Sequence, residues 1–131
     1  MATIFSRIVS GEIPCYKVAE TEKFLAFLDI NPLAMGHTLV IPKAEIDYLF
    51  DMEETQYADL FLFARQVALA LGKAIPCKKV GVAVIGLEVA HAHIHLVPIN
   101  EIYDIDFRKA KLSFSTAEFV ETATRIASAI L

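Results

Sequence analysis

Between positions 91 and 97 the chain reads His91-Ala92-His93-Ile94-His95-Leu96-Val97, a strict alternation of imidazole and apolar side chains. Period-2 patterning predicts a β-strand, expected here over 89–98. His91, His93 and His95 then share one face, with Ala92, Ile94 and Leu96 on the other. The apolar face must be covered by a core. The imidazole face must find polar partners or solvent, because burying three unpaired imidazoles would be costly.

The flanking sequence supplies a sheet. Residues 80–85 are rich in β-branched side chains, and Gly86 marks a turn that would make this run the antiparallel neighbour of the histidine strand. Residues 16–19 and 24–29 form a hairpin around the polar Glu20-Thr21-Glu22, which Asn31-Pro32 closes. Gly36 to Pro42 is a further strand, with His37, Leu39 and Ile41 on one face.

Three helices are expected. Residues 4–9 form a short one that turns Phe5, Ile8 and Val9 inward. Asp51 and Glu54 have the spacing of a capping box for the longest helix. Its stripe is Tyr57, Leu60, Phe61, Ala64, Val67, Ala68 and Leu71, with Leu62, Phe63 and Leu69 making the rest of its circumference unusually apolar. Ser115 and Glu118 cap a C-terminal helix over 115–130, with Phe119, Ala123, Ile126, Ala127 and Ile130 inward. Strands joined by short connections, with two main helices, predict an α+β fold on an antiparallel sheet of about five strands. Residues 1–131 read as a single domain.

Composition narrows the function. The net charge of −4 and the lack of a Lys/Arg cluster exclude a duplex nucleic-acid binder, which needs a basic stripe. A small anionic ligand is still compatible, since backbone N–H groups and a few histidines can hold one phosphate. Hydrophobic residues make up 56% of the chain, enough for a core with apolar surface left for a partner subunit. Cys15 and Cys77 stand alone and read as buried free thiols, without a disulfide or a cysteine-based zinc site. No apolar run is long enough for a signal peptide or a membrane span, so a cytoplasmic location and no membrane partner are expected.

Two chemistries use a row of imidazoles. Two or three of them can hold Zn²⁺, His91 and His93 being joined by His95 or His37, or more weakly by Glu88. Alternatively, one imidazole attacks phosphorus to form a covalent intermediate while its neighbours orient it. Spacing alone leaves both open.

The histidine row has the form His-φ-His-φ-His-φ-φ and resembles the signature of the histidine triad (HIT) family. Ile4-Phe5-Ser6-Arg7-Ile8 with Gly11-Glu12-Ile13-Pro14, then Phe27-Leu28-Asp29-Ile30-Asn31-Pro32, then Gly36-His37-Thr38-Leu39-Val40-Ile41-Pro42-Lys43 are similar, in the same order, to its nucleoside phosphoramidase branch. The resemblance spans about residues 4–98. It implies a homodimer whose sheet continues across the interface, with the helix at 55–71 packed between subunits. It makes the middle histidine, His93, the nucleophile, lets His95 hold a phosphate oxygen, and places His91 behind them in a relay with His37. Asp29 would accept from the ribose hydroxyls, with Phe5, Ile8, Phe27, Ile30 and Asn31 around the nucleoside, a purine by resemblance. The turn Gly86-Leu87-Glu88-Val89 would meet the phosphate. No cofactor or metal is implied.

One departure bears on the chemistry. The family's loop before the triad carries an Asn and a Gly-Gln pair followed by a small polar residue. Here the loop is a shortened Val84-Ile85-Gly86-Leu87-Glu88-Val89, with Leu87 in place of Gln and Glu88 in place of the polar residue. A non-catalytic nucleotide-binding dimer and a metal-dependent hydrolase are the alternatives. The family's C-terminal Trp is also missing, leaving the helix at 115–130 in its place.

Overall fold

The computed structural model describes residues 2–130. In chain order the elements are α1 (Ile4–Val9), β1 (Lys17–Glu20), β2 (Phe24–Leu28), β3 (Thr38–Pro42), α2 (Glu54–Ala74), β4 (Lys79–Ala83), β5 (Ile94–Ile99) and α3 (Thr116–Ser128), with 3-10 turns at Leu49–Asp51 and Ile102–Ile105. The strands form one sheet in the order β1-β2-β3-β5-β4, every neighbouring pair antiparallel. The expected α+β fold with a five-stranded antiparallel sheet is what the chain adopts.

Alternation along the strands sorts the side chains into two layers. Phe24, Ala26 and Leu28 of β2, Val40 of β3, and Ile94 and Leu96 of β5 pack against Leu60, Phe63, Val67 and Leu71 of α2 and Ala123 and Ile126 of α3. On the opposite face Leu25, Phe27, Leu39 and Ile41 form a smaller cluster with Phe5 of α1. A six-residue helix cannot cover five strands, so the part of this face beyond α1 is left as a cleft.

Several expectations need correction. The N-cap of α2 is Glu53, whose carboxylate accepts from the N–H groups of Thr55 and Gln56, while Asp51 lies in the preceding 3-10 turn. The buried stripe of α2 is rotated toward Phe63 and Ala70, leaving Phe61 and Ala68 half-buried at its flank and Leu62 and Leu69 exposed. Neither cysteine is fully buried.

The histidine strand is also shorter than expected. It begins at Ile94 because Ala92 N–H donates to Ile46 O at 2.6 Å and His91 N–H to Val89 O at 2.8 Å, contacts with loops rather than with β4. The β4–β5 connection is accordingly the whole of 84–93, not a tight turn at Gly86. The side-chain alternation nevertheless persists through it, since Ala92 joins the helix-side core with Ile94 and Leu96.

Candidate active site

The cleft on the α1 face has a volume of about 430 Å³ and is lined by His93, His95 and His37. The pairing of Leu39 with His95 brings β3 and β5 side by side at this point, so His37, just before β3, meets the histidine row. His91 is fully buried and does not line the cleft.

The ring partners fix the tautomers, because a carbonyl only accepts and an amide N–H only donates. Leu33 N–H donates to His37 Nδ1 at 3.0 Å, so the His37 proton sits on Nε2. That Nε2–H donates to His95 Nδ1, also at 3.0 Å. His95 must then carry its own proton on Nε2, the atom left for a ligand. His93 runs the other way: its Nδ1–H donates to the His91 carbonyl at 2.7 Å, leaving the lone pair on Nε2 without a protein partner. His91 donates from Nε2 to Pro42 O at 2.8 Å and accepts at Nδ1 from Thr3 Oγ1 at 3.0 Å.

One reading of the sequence changes here. His37 pairs with His95, not with His91. The relay implied by the resemblance is therefore corrected: the β3–β5 register puts His95, not His91, beside His37, and His91 instead ties the triad to the α1 cap through Thr3. Among the described residues no buried side-chain N or O atom lacks a partner, which is how the fold tolerates so many imidazoles in its interior.

Burial is also the main reason that His37 is held down to about 4 and His95 to about 3. Burial pushes His91 below the usual histidine range as well, partly opposed by its bond to Pro42. These three imidazoles are neutral at pH 7, which agrees with the tautomers set by their partners.

The expected nucleoside wall is assembled in the same cleft. Phe5, Ile8, Phe27 and Ile30 line it, with Phe5 edge-on to Phe27 at 5.6 Å and to His93 at 5.0 Å. Asp29 lines it too; its Oδ1 accepts from Asn31 N–H at 2.8 Å, and its Oδ2 lies 3.7 Å from His37 Nε2. Burial raises the Asp29 carboxyl above its ordinary range, offset in part by the Asn31 N–H. Gly86, Leu87, Glu88 and Val89 close one end, Leu87 almost wholly exposed at the rim.

The structure adds residues that sequence reasoning missed. Phe107 stands edge-on to His95 at 4.6 Å and to His37 at 6.2 Å, and Lys111 joins it on the cleft wall. Cys15 and Ile13 also line the cleft. Thr3 was readable from the Thr3/Ser6 cap spacing. Nothing periodic marks the segment 106–112.

Asp29, His37 and His95 also bring ligand-type atoms within 4.8 Å of one another. They do not fit a metal as arranged. A cation there would need the Nε2 lone pair of His37, which would force its proton onto Nδ1 and against the Leu33 N–H.

The chain is similar to known proteins over most of its length. The HIT domain matches residues 10–102. The adenosine 5'-monophosphoramidase of Schizosaccharomyces pombe is 34% identical over 132 residues, 99% of each chain. A Hit-like protein of Bartonella henselae, involved in cell-cycle regulation and solved with an unknown ligand, superimposes with a TM-score of 0.85 at 29% identity, over 97% of this chain and 95% of its own. A Zn-bound histidine triad family protein of Mycobacterium smegmatis gives 0.81 at 28% identity, over 99% and 94%.

Proposed function

The chain belongs to the HIT-domain family, and on that premise we propose that it cleaves nucleoside 5′-monophosphate derivatives at the α-phosphorus through a nucleotidyl-His93 intermediate. One observation carries this reading: the His91 carbonyl holds the proton of His93 on Nδ1, so the Nε2 lone pair is free for attack.

In the first step His93 Nε2 forms a bond to phosphorus while the bond to the leaving amine, phosphate or nucleotide breaks, the departing atom taking up a proton from solvent where it needs one. The ring gains positive charge as it attacks. Its Nδ1–H bond to the His91 carbonyl strengthens as that charge develops, stabilising the transition state more than the ground state. His95 Nε2–H, its ring 4.9 Å from that of His93, donates to a phosphate oxygen. Water then displaces His93 and gives up a proton to solvent, releasing the nucleoside monophosphate and restoring the neutral ring.

The apolar wall of Phe5, Ile8, Phe27 and Ile30 takes a purine, and Asp29 accepts from the ribose hydroxyls. The adenosine phosphoramidase relative supports an amine as one leaving group. A homodimer with a continuous sheet is part of the proposal: β4 is an edge strand with Val82 exposed, and Leu62 and Leu69 of α2 are exposed as well. A cytoplasmic site of action is proposed on the sequence, and no helix among the described residues is long and apolar enough to cross a membrane.

Turnover of adenosine 5′-phosphoramidate in the presence and absence of a chelator tests the reading. Chelator-insensitive release of AMP supports it. Loss of activity restored by zinc would favour the metal-dependent alternative, and AMP binding without turnover a non-catalytic dimer.

A further inference from the structure

The cleft has an electrostatic problem. His37 and His95 are neutral at pH 7, Asp29 and Glu88 bring negative charge, and the loop before β5 presents Leu87 where a hydrogen-bond donor would help a phosphate. The His95 Nε2–H is one donor for a phosphate entering such a site, and a nearby cation would offset the surrounding negative charge. Among the described residues lining the cleft, Lys111 is the one Lys or Arg side chain.

Its placement is built rather than incidental. The segment 106–112 is pinned by Leu112 N–H donating to Pro32 O at 2.8 Å, next to the stretch that carries Asp29 and the Leu33 donor to His37. Asp106 receives Arg108 through both carboxylate oxygens, at 3.1 and 3.0 Å, fixing the turn. Phe107 packs edge-on against His95. Lys111 Nζ sits 5.8 Å from the centre of the Phe107 ring and donates to the carbonyls of Phe107 at 2.6 Å and Lys109 at 3.3 Å. An ammonium has three donors, so one N–H is left to point elsewhere.

Resting on the nucleotidyl-transfer reading, we propose that Lys111 is a substrate-binding residue whose ammonium contacts the α-phosphate, replacing charge stabilisation that the shortened loop before the triad does not give. The carbonyls of Phe107 and Lys109 preorganise the ammonium, and the Phe107 ring sets its distance from His95. The site thus approaches phosphate from two sides, with the His95 Nε2–H on the sheet and Lys111 on the loop.

Calorimetric titration of AMP and of adenosine against wild type, Lys111→Gln and Lys111→Arg tests this. The Gln variant should bind AMP roughly ten- to a hundredfold more weakly, the range of a charge-assisted hydrogen bond, and adenosine as wild type does. Lys111→Arg, which keeps the charge, should recover most of the loss. Unchanged AMP binding in Lys111→Gln, or equal weakening of AMP and adenosine, would overturn the assignment while leaving the nucleotide reading standing. If wild type binds neither compound, the nucleotide reading falls and the Lys111 proposal with it.

Discussion

His37 Nε2 lies 3.0 Å from His95 Nδ1, and the amide of Leu33 holds the other end of the His37 ring. A backbone donor on one loop thereby dictates which nitrogen of His95 carries the proton offered to the cleft.

His37→Ala should break that chain. With no donor at Nδ1, His95 is free to change tautomer and orientation, and kcat should fall on the order of a hundredfold, as for a modest misplacement of a reacting group, with less change in KM. The variant also leaves Leu33 N–H unpaired and a cavity behind, costing about 2–4 kcal/mol of stability. Steady-state kinetics and urea unfolding check both, and a full-rate variant would remove His37 from the mechanism.

The same neutral imidazoles make stability depend on pH. In the unfolded chain a histidine takes up its proton near pH 6.5, whereas folded His37 does so only at about 4 and His95 at about 3. The unfolded state therefore binds more protons below about pH 6.5, so stability present above that pH is lost on acidification, continuing until the folded values are reached. The slope approaches about 1.4 kcal/mol per pH unit for each such histidine. Urea midpoints between pH 7 and 5 should fall steadily, above the range in which most carboxylates titrate. A flat profile would contradict the buried neutral pair.

Asp29→Asn keeps an oxygen for the Asn31 N–H, so the local turn survives while the carboxylate is lost. AMP should bind about tenfold more weakly, and 2′,3′-dideoxy-AMP as it does to wild type. Equal weakening of the two would show that Asp29 does not meet the ribose hydroxyls.

Gly36 holds φ at +91°, and a Cβ there would stand 2.9 Å from Ile75 Cγ1 and 3.0 Å from Leu71 Cδ1. Gly36→Ala should cost about 2–4 kcal/mol, combining left-handed backbone strain with overpacking against α2. Chemical denaturation reads this directly, and a loss within experimental error of zero would mean that the chain can enter β3 by another path.

Much of this was written in local pattern. The bounds of α1, the β1–β2 hairpin, the Ser115/Glu118 cap of α3 and the apolar face of Ala92, Ile94 and Leu96 follow from periodicities and cap spacings that a single segment contains. The residues expected to line the cleft do so, apart from His91. The pairing of His37 with His95 was not legible, because it depends on the register between β3 and β5, far apart in sequence. Glu53 outcompeted Asp51 as a cap through side-chain geometry that adjacent acidic residues do not reveal. Phe107 and Lys111 lie in a loop without periodicity, held by the bond from Leu112 to Pro32, which are far apart in sequence.

The central claim is that the free Nε2 of His93 becomes covalently bonded to phosphorus. Its most direct test is intact mass of the protein after brief incubation with an adenosine phosphoramidate, quenched without acid because phosphorus–imidazole bonds are acid-labile. The account predicts a transient gain of one adenylyl group per chain that is absent in His93→Ala, a variant that still binds AMP. An adduct of the same mass in His93→Ala, or turnover undiminished in that variant, would contradict it.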